Sequence, residues 1–226
     1  MPSTTKILHF LAVTLASAIA AGMLGYGMAA TWAVSTMGCE QNKTNIYNGT
    51  AEVTLGLFRL EITRRCPFGA GKGHGAFEKL QAIGGIPIIL HGLVVAFLVF
   101  SLVGTAGSIL VSLYNSVSNP YQTHLGPVGV FTCSSIGVIF CFLALILFVV
   151  NVYATDMFES LVMSEQIVNL EPAEVTMEIG FFFLIPFLVM SLLAILVVFL
   201  YQHVAYTHQR EQQRPTEDAP KEIMMY

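Results

Sequence analysis

Three long stretches without a charged side chain constrain what this chain can fold into. Asp, Glu, Lys and Arg are absent from residues 7–39, 80–155 and 179–209. An apolar run of about 18 residues or more is long enough to cross a lipid bilayer. Charged residues make up 11% of the chain, less than half of the roughly 25% typical of soluble domains. This pattern excludes an ordinary cytosolic enzyme, and a net charge of −4 offers no basic surface for nucleic acid.

The middle stretch is long enough for two spans, because turn-forming residues interrupt it at 114–127. Backbone polar groups in lipid must be satisfied internally, so we predict four helical spans. The predicted order is a cytoplasmic N-terminus (1–6), span one (7–34), an extracellular loop (35–83), span two (84–113), a cytoplasmic loop (114–127), span three (128–152), a second extracellular loop (153–178), span four (179–206) and a cytoplasmic tail (207–226). Residues 6–18 also resemble a signal peptide, but the apolar run continues to Ala33, which favours an uncleaved span.

The first predicted outer loop contains features of an extracellular segment. It holds glycosylation sequons at Asn42 and Asn48, and Asn48 is favoured because it lies farther from the membrane. Lys and Arg do not settle the orientation, since more of them fall in this loop than on the inner side. Cys39 and Cys66 lie in the same loop. A disulfide between them would stabilise the fold by roughly 3–4 kcal/mol, and two free thiols are the alternative.

The two outer loops differ in composition. Alternation over residues 53–62 predicts a strand with a bulge-like break at Leu57 and Phe58. The glycine-rich run Pro67–Gly75 predicts a loop. The second outer loop carries six carboxylates and no Lys or Arg. Its acidity serves solubility, or it attracts the first loop or a basic partner.

Small residues recur at every fourth position in two spans and predict close helix packing. These candidate packing residues are Ala21, Gly25 and Ala29 in span one, and Gly104 and Ser108 in span two. Packing within one bundle is favoured over contact between subunits, and a homo-oligomer held together by these residues is the alternative. The three histidines of the spans, His9, His91 and His203, are expected near span ends with their ring tips in water or at the lipid headgroups.

No group of residues in the sequence indicates chemistry. Nothing pairs a nucleophile with a base at an identifiable site, and the spans lack the ionisable groups that pumps and proton relays use. We therefore predict a protein that is not an enzyme, with no cofactor and no metal site.

Several motifs resemble those of known four-span proteins. Trp32 is followed by Gly56-Leu57-Phe58, and Cys39 and Cys66 stand on either side of that tripeptide. This arrangement resembles the signature of the claudin-like superfamily. A more specific resemblance to the clarin family lies in Met1-Pro2, in Gly56-Leu57-Phe58-Arg59 preceded by the sequon at Asn48, in residues 114–123 and 125–130, and in the tail residues 211–215, 219–220 and 223–226. Two positions depart from that family: Leu60 stands where a glycine is common, and Cys133 stands where some clarins carry tryptophan.

The resemblance implies an all-α membrane protein, a four-transmembrane-helix bundle with a small disulfide-tied extracellular β-sheet. It implies a non-enzymatic plasma-membrane glycoprotein with both termini in the cytoplasm, in a family linked to sensory hair cells. The function it implies is that of a membrane organiser or scaffold, which would contact membrane lipids, membrane or cell-surface proteins through its extracellular loops, and a cytoplasmic partner at its C-terminal tail. The alternatives are a claudin-like junction or paracellular pore protein, with Arg64 and Arg65 lining the path, and an accessory subunit of a channel.

Overall fold

The computed structural model describes residues 4–39, 49–65, 72–117, 126–164 and 170–213. Their helices are α1 (Thr4–Ala29), α2 (Ala76–Ile83), α3 (Gly85–Val117), α4 (Pro127–Ala154), α5 (Met157–Met163), α6 (Ile179–Phe182) and α7 (Leu184–Gln213). Within these ranges four helical segments are long and apolar enough to cross a membrane: α1, α3, α4, and α6 continuing into α7. In the bundle, α1 packs against α3 and α7, and α4 packs against the same two helices.

The described strands form one antiparallel sheet in the order β4-β3-β2-β1-β5. They are β1 (Thr31–Cys39), β2 (Gly49–Gly56), β3 (Arg59–Arg64), β4 (Lys72–Gly75) and β5 (Glu174–Met177). Strands β2 to β4 come from the first predicted outer loop, β1 runs into that loop from the end of predicted span one, and β5 comes from the second outer loop. The sheet therefore joins the two loops at one end of the bundle, which we call the sheet end.

Span one is shorter than the sequence predicted. Helix α1 ends at Ala29, and residues 31–34 belong to β1 instead of the span. The β-branched residues Thr31, Val34 and Thr36 favour an extended backbone, and β1 pairs with both β2 and β5 along this stretch. At the other end of the bundle, α3 continues to Val117, four residues into the predicted inner loop.

Two predictions for the first outer loop are wrong. Residues 53–62 form a hairpin and not a single bulged strand, since Leu55 lies opposite Leu60 and the chain reverses at Leu57 and Phe58. The slip in the alternation marks this reversal of direction. The glycine-rich stretch is not all loop, because Gly73 and Gly75 belong to β4 and pair with β3. The strand β5 and the helix α5 of the second outer loop were not predicted.

A continuous apolar core connects the bundle to the sheet. One sheet face is buried, and its side chains share a cluster with α2, α5 and the bundle. Members of this cluster include Met37, Val53, Leu55, Ile62, Leu80, Leu98, Phe148 and Phe158. Many apolar side chains of the four long helices point outward instead, such as Leu110, which is 68% exposed. Lipid is the solvent in which such a surface is stable.

Candidate functional site

Trp32 fixes the sheet to the bundle. Its side chain is fully buried, and its indole Nε1–H donates a hydrogen bond to Gly27 O of α1 at 2.8 Å. The ring packs edge-on against Phe148 of α4 and Phe181 of α6, with centroids 4.8 and 6.2 Å apart. Gly180 of α6 makes room for it, because an added Cβ there would lie 2.7 Å from Trp32 Cδ1. One strand residue thus contacts three helices.

The hairpin turn makes a second attachment through His91. Leu57 is buried, and its carbonyl oxygen accepts a hydrogen bond from His91 Nε2 of α3 at 2.8 Å. Phe77 of α2 packs edge-on against the imidazole, with centroids 5.1 Å apart. The expectation that His91 reaches water is wrong, because its side chain is fully buried. Phe58, the next residue of the turn, points outward and is 49% exposed.

The sheet face opposite the core, here called the outer face, is polar. Threonine and glutamate alternate across neighbouring strands: Thr36 lies opposite both Glu52 and Glu174. Thr54 lies opposite Glu61 one row further. All three carboxylates are exposed. The outer face therefore offers hydroxyl and carboxylate groups on a backbone whose register is fixed by pairing.

A groove of about 970 Å³ opens where β2, β3 and β4 of the sheet meet the end of α1. Its floor includes the three glycines Gly56, Gly73 and Gly75. Gly73 faces open space, since no atom lies within 4 Å of where its Cβ would be. Around this floor lie Phe58, Arg59, Glu61 and Glu78. The groove thus combines an aromatic ring, a guanidinium and two carboxylates.

Close packing between α3 and α4 involves Gly104 and Ser108. A Cβ at Gly104 would lie 2.9 Å from Cys133 O and 3.1 Å from Gly137 N, so the two backbones touch. Ser108 Oγ lies 2.8 Å from Ser134 Oγ of α4 and 3.3 Å from the hydroxyl of Ser17 in α1. Hydrogen bonds between serine hydroxyls therefore join three helices inside the bundle.

The small residues predicted to pack α1 against other helices do not face its neighbours closely. Gly25 and Ala29 are exposed and Ala21 is half-buried, and no atom approaches the Cβ position of Gly25 within 4 Å. The close approach of α1 uses Gly27 instead, where a Cβ would lie 2.9 Å from Leu184 Cδ1 of α7. A helix turns every 3.6 residues, so a strict four-residue row drifts away from one neighbour. The buried positions 13, 17, 20, 24 and 27 instead alternate between spacings of three and four residues. A search of the sequence at that alternating spacing would have included Gly27.

Several predicted sites lie outside the described residues. These are Asn42, Asn48 and Cys66, together with the tail beyond residue 213. Cys39 is fully buried at the end of β1, and Arg65 is exposed just after β3. Among the described residues, no group of three or more His, Cys, Asp or Glu side chains is placed to hold a metal ion.

The chain is similar over its whole length to three curated proteins. It is 31% identical to Clarin-3 of Homo sapiens over 237 residues, covering all of both chains. It is 30% identical to Clarin-3 of Mus musculus over 230 residues and of Rattus norvegicus over 233 residues, again with complete coverage. No family model matches the chain. The similarity therefore includes the four long helices and every strand of the sheet.

Proposed function

Because this chain belongs to the clarin family and is a multi-pass membrane protein, we propose that it is a non-enzymatic organiser of the plasma membrane. The sheet faces the extracellular side, and both termini lie in the cytoplasm. In this role the chain holds membrane or cell-surface proteins through its outer face and its bundle surface. A cytoplasmic partner binds the C-terminal tail.

The observation that carries this proposal is the rigid attachment of the sheet to the bundle. Trp32 contacts α1, α4 and α6, and His91 holds the hairpin turn from α3. A surface held this firmly loses little conformational freedom when a partner binds. Its exposed threonines and glutamates give directional hydrogen bonds and a charge preference, which favour recognition of a particular basic surface.

The extracellular assignment predicts two modifications of the first loop. Asn48, and Asn42 as the second sequon, would carry the glycan. Cys39 would pair with Cys66, and the register supports this: Cys39 lies opposite Gly49, while Arg65 N donates to Thr50 O at 2.8 Å. Cys39 and Arg65, the described residue that precedes Cys66 in the chain, therefore lie at the same end of the sheet. In intact cells, Cys39→Ser should leave Cys66 reactive to maleimide without reductant. In the unsubstituted chain the first loop should label only after reduction, and equal labelling of that chain with and without reductant would contradict the pairing.

A photo-crosslinking amino acid on the outer face tests the organiser role. We would place it at Thr36, which is exposed between Glu52 and Glu174, and irradiate intact cells. The proposal expects protein adducts of discrete mass that disappear when both glutamates are changed to arginine. The matched control is Thr132, exposed on α4, where any adducts should be unaffected when both glutamates are changed to arginine. Adducts that are identical at both positions would contradict the proposal.

The claudin-like alternative makes a different prediction. A paracellular path along the outer face would meet the exposed Glu52, Glu61 and Glu174, so it would favour cations and not the anions that Arg64 and Arg65 alone would select. Expression in a claudin-null epithelial sheet separates the two functions. Unchanged conductance supports the organiser, whereas a new cation conductance supports the pore. An accessory channel subunit would instead co-purify with a channel from native membrane.

A further inference from the structure

We propose that the groove between the hairpin and the end of α1 binds a phosphatidylcholine headgroup from the leaflet on the sheet side. This inference goes beyond the organiser role and does not depend on it, because a partner can bind the outer face at Thr36, Glu52 and Glu174, none of which lines the groove. It rests on the shape of the groove, its charges and its position along α1.

The groove is open because glycines, which have no side chain, line it. Gly73 lies opposite Glu61 and Gly75 lies opposite Arg59 on the neighbouring strand. At Gly73 a Cβ would meet nothing within 4 Å, and at Gly75 it would meet only Glu78, with Oε2 3.9 Å away. Glycine weakens a strand interior and often marks a place where another group approaches the backbone closely. The floor is thus open to a ligand of small cross-section.

The charges suit a zwitterion that carries a phosphate and a quaternary ammonium. Arg59 and Glu61 are two residues apart on β3, so they share a face at a spacing of about 6.6 Å. A guanidinium binds phosphate oxygens through paired hydrogen bonds. Glu61 and Glu78 supply negative charge in the same groove as the exposed ring of Phe58, and aromatic faces attract quaternary ammonium groups through cation–π interaction. One headgroup can therefore place its phosphate at the Arg59 guanidinium and its ammonium among the two carboxylates and the ring of Phe58.

The position places the ligand at the membrane boundary. Ala29 and Ala30, where α1 ends, form one side of the groove. Below them, the outward surface of α1 carries Gly22 and Gly25, and no atom lies within 4 Å of either Cβ position. An acyl chain can lie in this shallow strip while its headgroup occupies the groove. The lipid assignment thus gives a role to small residues that helix packing does not use.

Native mass spectrometry of the full chain, purified in a detergent without choline, tests the proposal. Phosphatidylcholine and phosphatidylglycerol of equal chain length are added in turn. We expect phosphatidylcholine to bind about tenfold more tightly, a difference of about 1.4 kcal/mol. Gly73→Val, which fills the floor with a residue suited to strands, and Glu61→Gln should both remove this preference. The matched control is Glu52→Gln, on the outer face but away from the groove, which should keep it.

Further variants separate a bound lipid from a bound free headgroup. Gly25→Leu should weaken retention of phosphatidylcholine by about fourfold for each methylene of the acyl chain that loses its place on α1, since each such methylene contributes about 0.8 kcal/mol. Soluble phosphocholine should displace the lipid only weakly. Equal binding of the two lipids, or an unchanged preference in Gly73→Val with native helicity, would overturn the proposal. Displacement by phosphocholine as effective as that by the intact lipid would overturn the lipid assignment.

Discussion

Replacing Gly180 by alanine tests whether Trp32 fixes the sheet to the bundle. An added Cβ would lie 2.6 Å from Thr31 O, 2.7 Å from Trp32 Cδ1 and 3.0 Å from Gly27 O. Two of these atoms belong to the backbones of β1 and α1, so relief requires the strand to move away from the helices. Overpacking of this kind costs about 1–3 kcal/mol, and the better helix propensity of alanine offsets less than about 1 kcal/mol.

The net expectation is a loss of about 1–2 kcal/mol in the free energy of unfolding. Trp32 is the only tryptophan of the chain, so its fluorescence reports directly on this junction. In detergent micelles, Gly180→Ala should shift the emission to longer wavelength and lower the denaturation midpoint. The matched control is Gly22→Ala, because no atom lies within 4 Å of that Cβ position and alanine favours the helix. Equal midpoints and equal emission for the two variants would refute the role assigned to Trp32.

Three further predictions concern the bundle. Gly104→Ala should destabilise the chain by about 1–3 kcal/mol because its Cβ would clash with the α4 backbone, whereas Gly25→Ala should not. Thermal unfolding compares the two variants, and equal stability would contradict the close packing of α3 against α4. Ser108→Ala removes two interhelical contacts and should cost about 0.6 kcal/mol for each, at most about 1.7; no loss in a double-mutant cycle with Ser134→Ala would contradict direct coupling. His91→Leu should release the hairpin turn, so limited proteolysis at Arg59 should accelerate, and an unchanged cleavage rate would contradict that attachment.

The four spans could be predicted from the sequence because lipid excludes charge over a long distance. Absence of Asp, Glu, Lys and Arg is a signal that needs no knowledge of tertiary contacts. The end of span one at Ala29 could not be predicted in the same way, because the following residues are equally apolar. Residues 31–34 leave the helix to pair with β2 and β5, and β5 comes from more than 130 residues further along the chain.

The candidate site could likewise be predicted only in part. The Trp32 and Gly56-Leu57-Phe58 motifs were found by resemblance, but their partners were not. His91 was expected at the membrane surface, since an isolated histidine near a span end gives no sign of an acceptor. The acceptor is a backbone carbonyl, Leu57 O, and a carbonyl has no sequence signature. The groove was missed for a similar reason, because its floor consists of glycines that also read as a loop.

Impermeant maleimide labelling of two single-cysteine variants in intact cells tests the four-span arrangement most directly. Thr36→Cys reports on the outer face and Thr207→Cys on the opposite end of the bundle, and both threonines are exposed. We expect labelling of Thr36→Cys in intact cells and labelling of Thr207→Cys only after permeabilisation. Labelling of Thr207→Cys in intact cells, or protection of Thr36→Cys, would contradict a bundle that carries its sheet outside the cell.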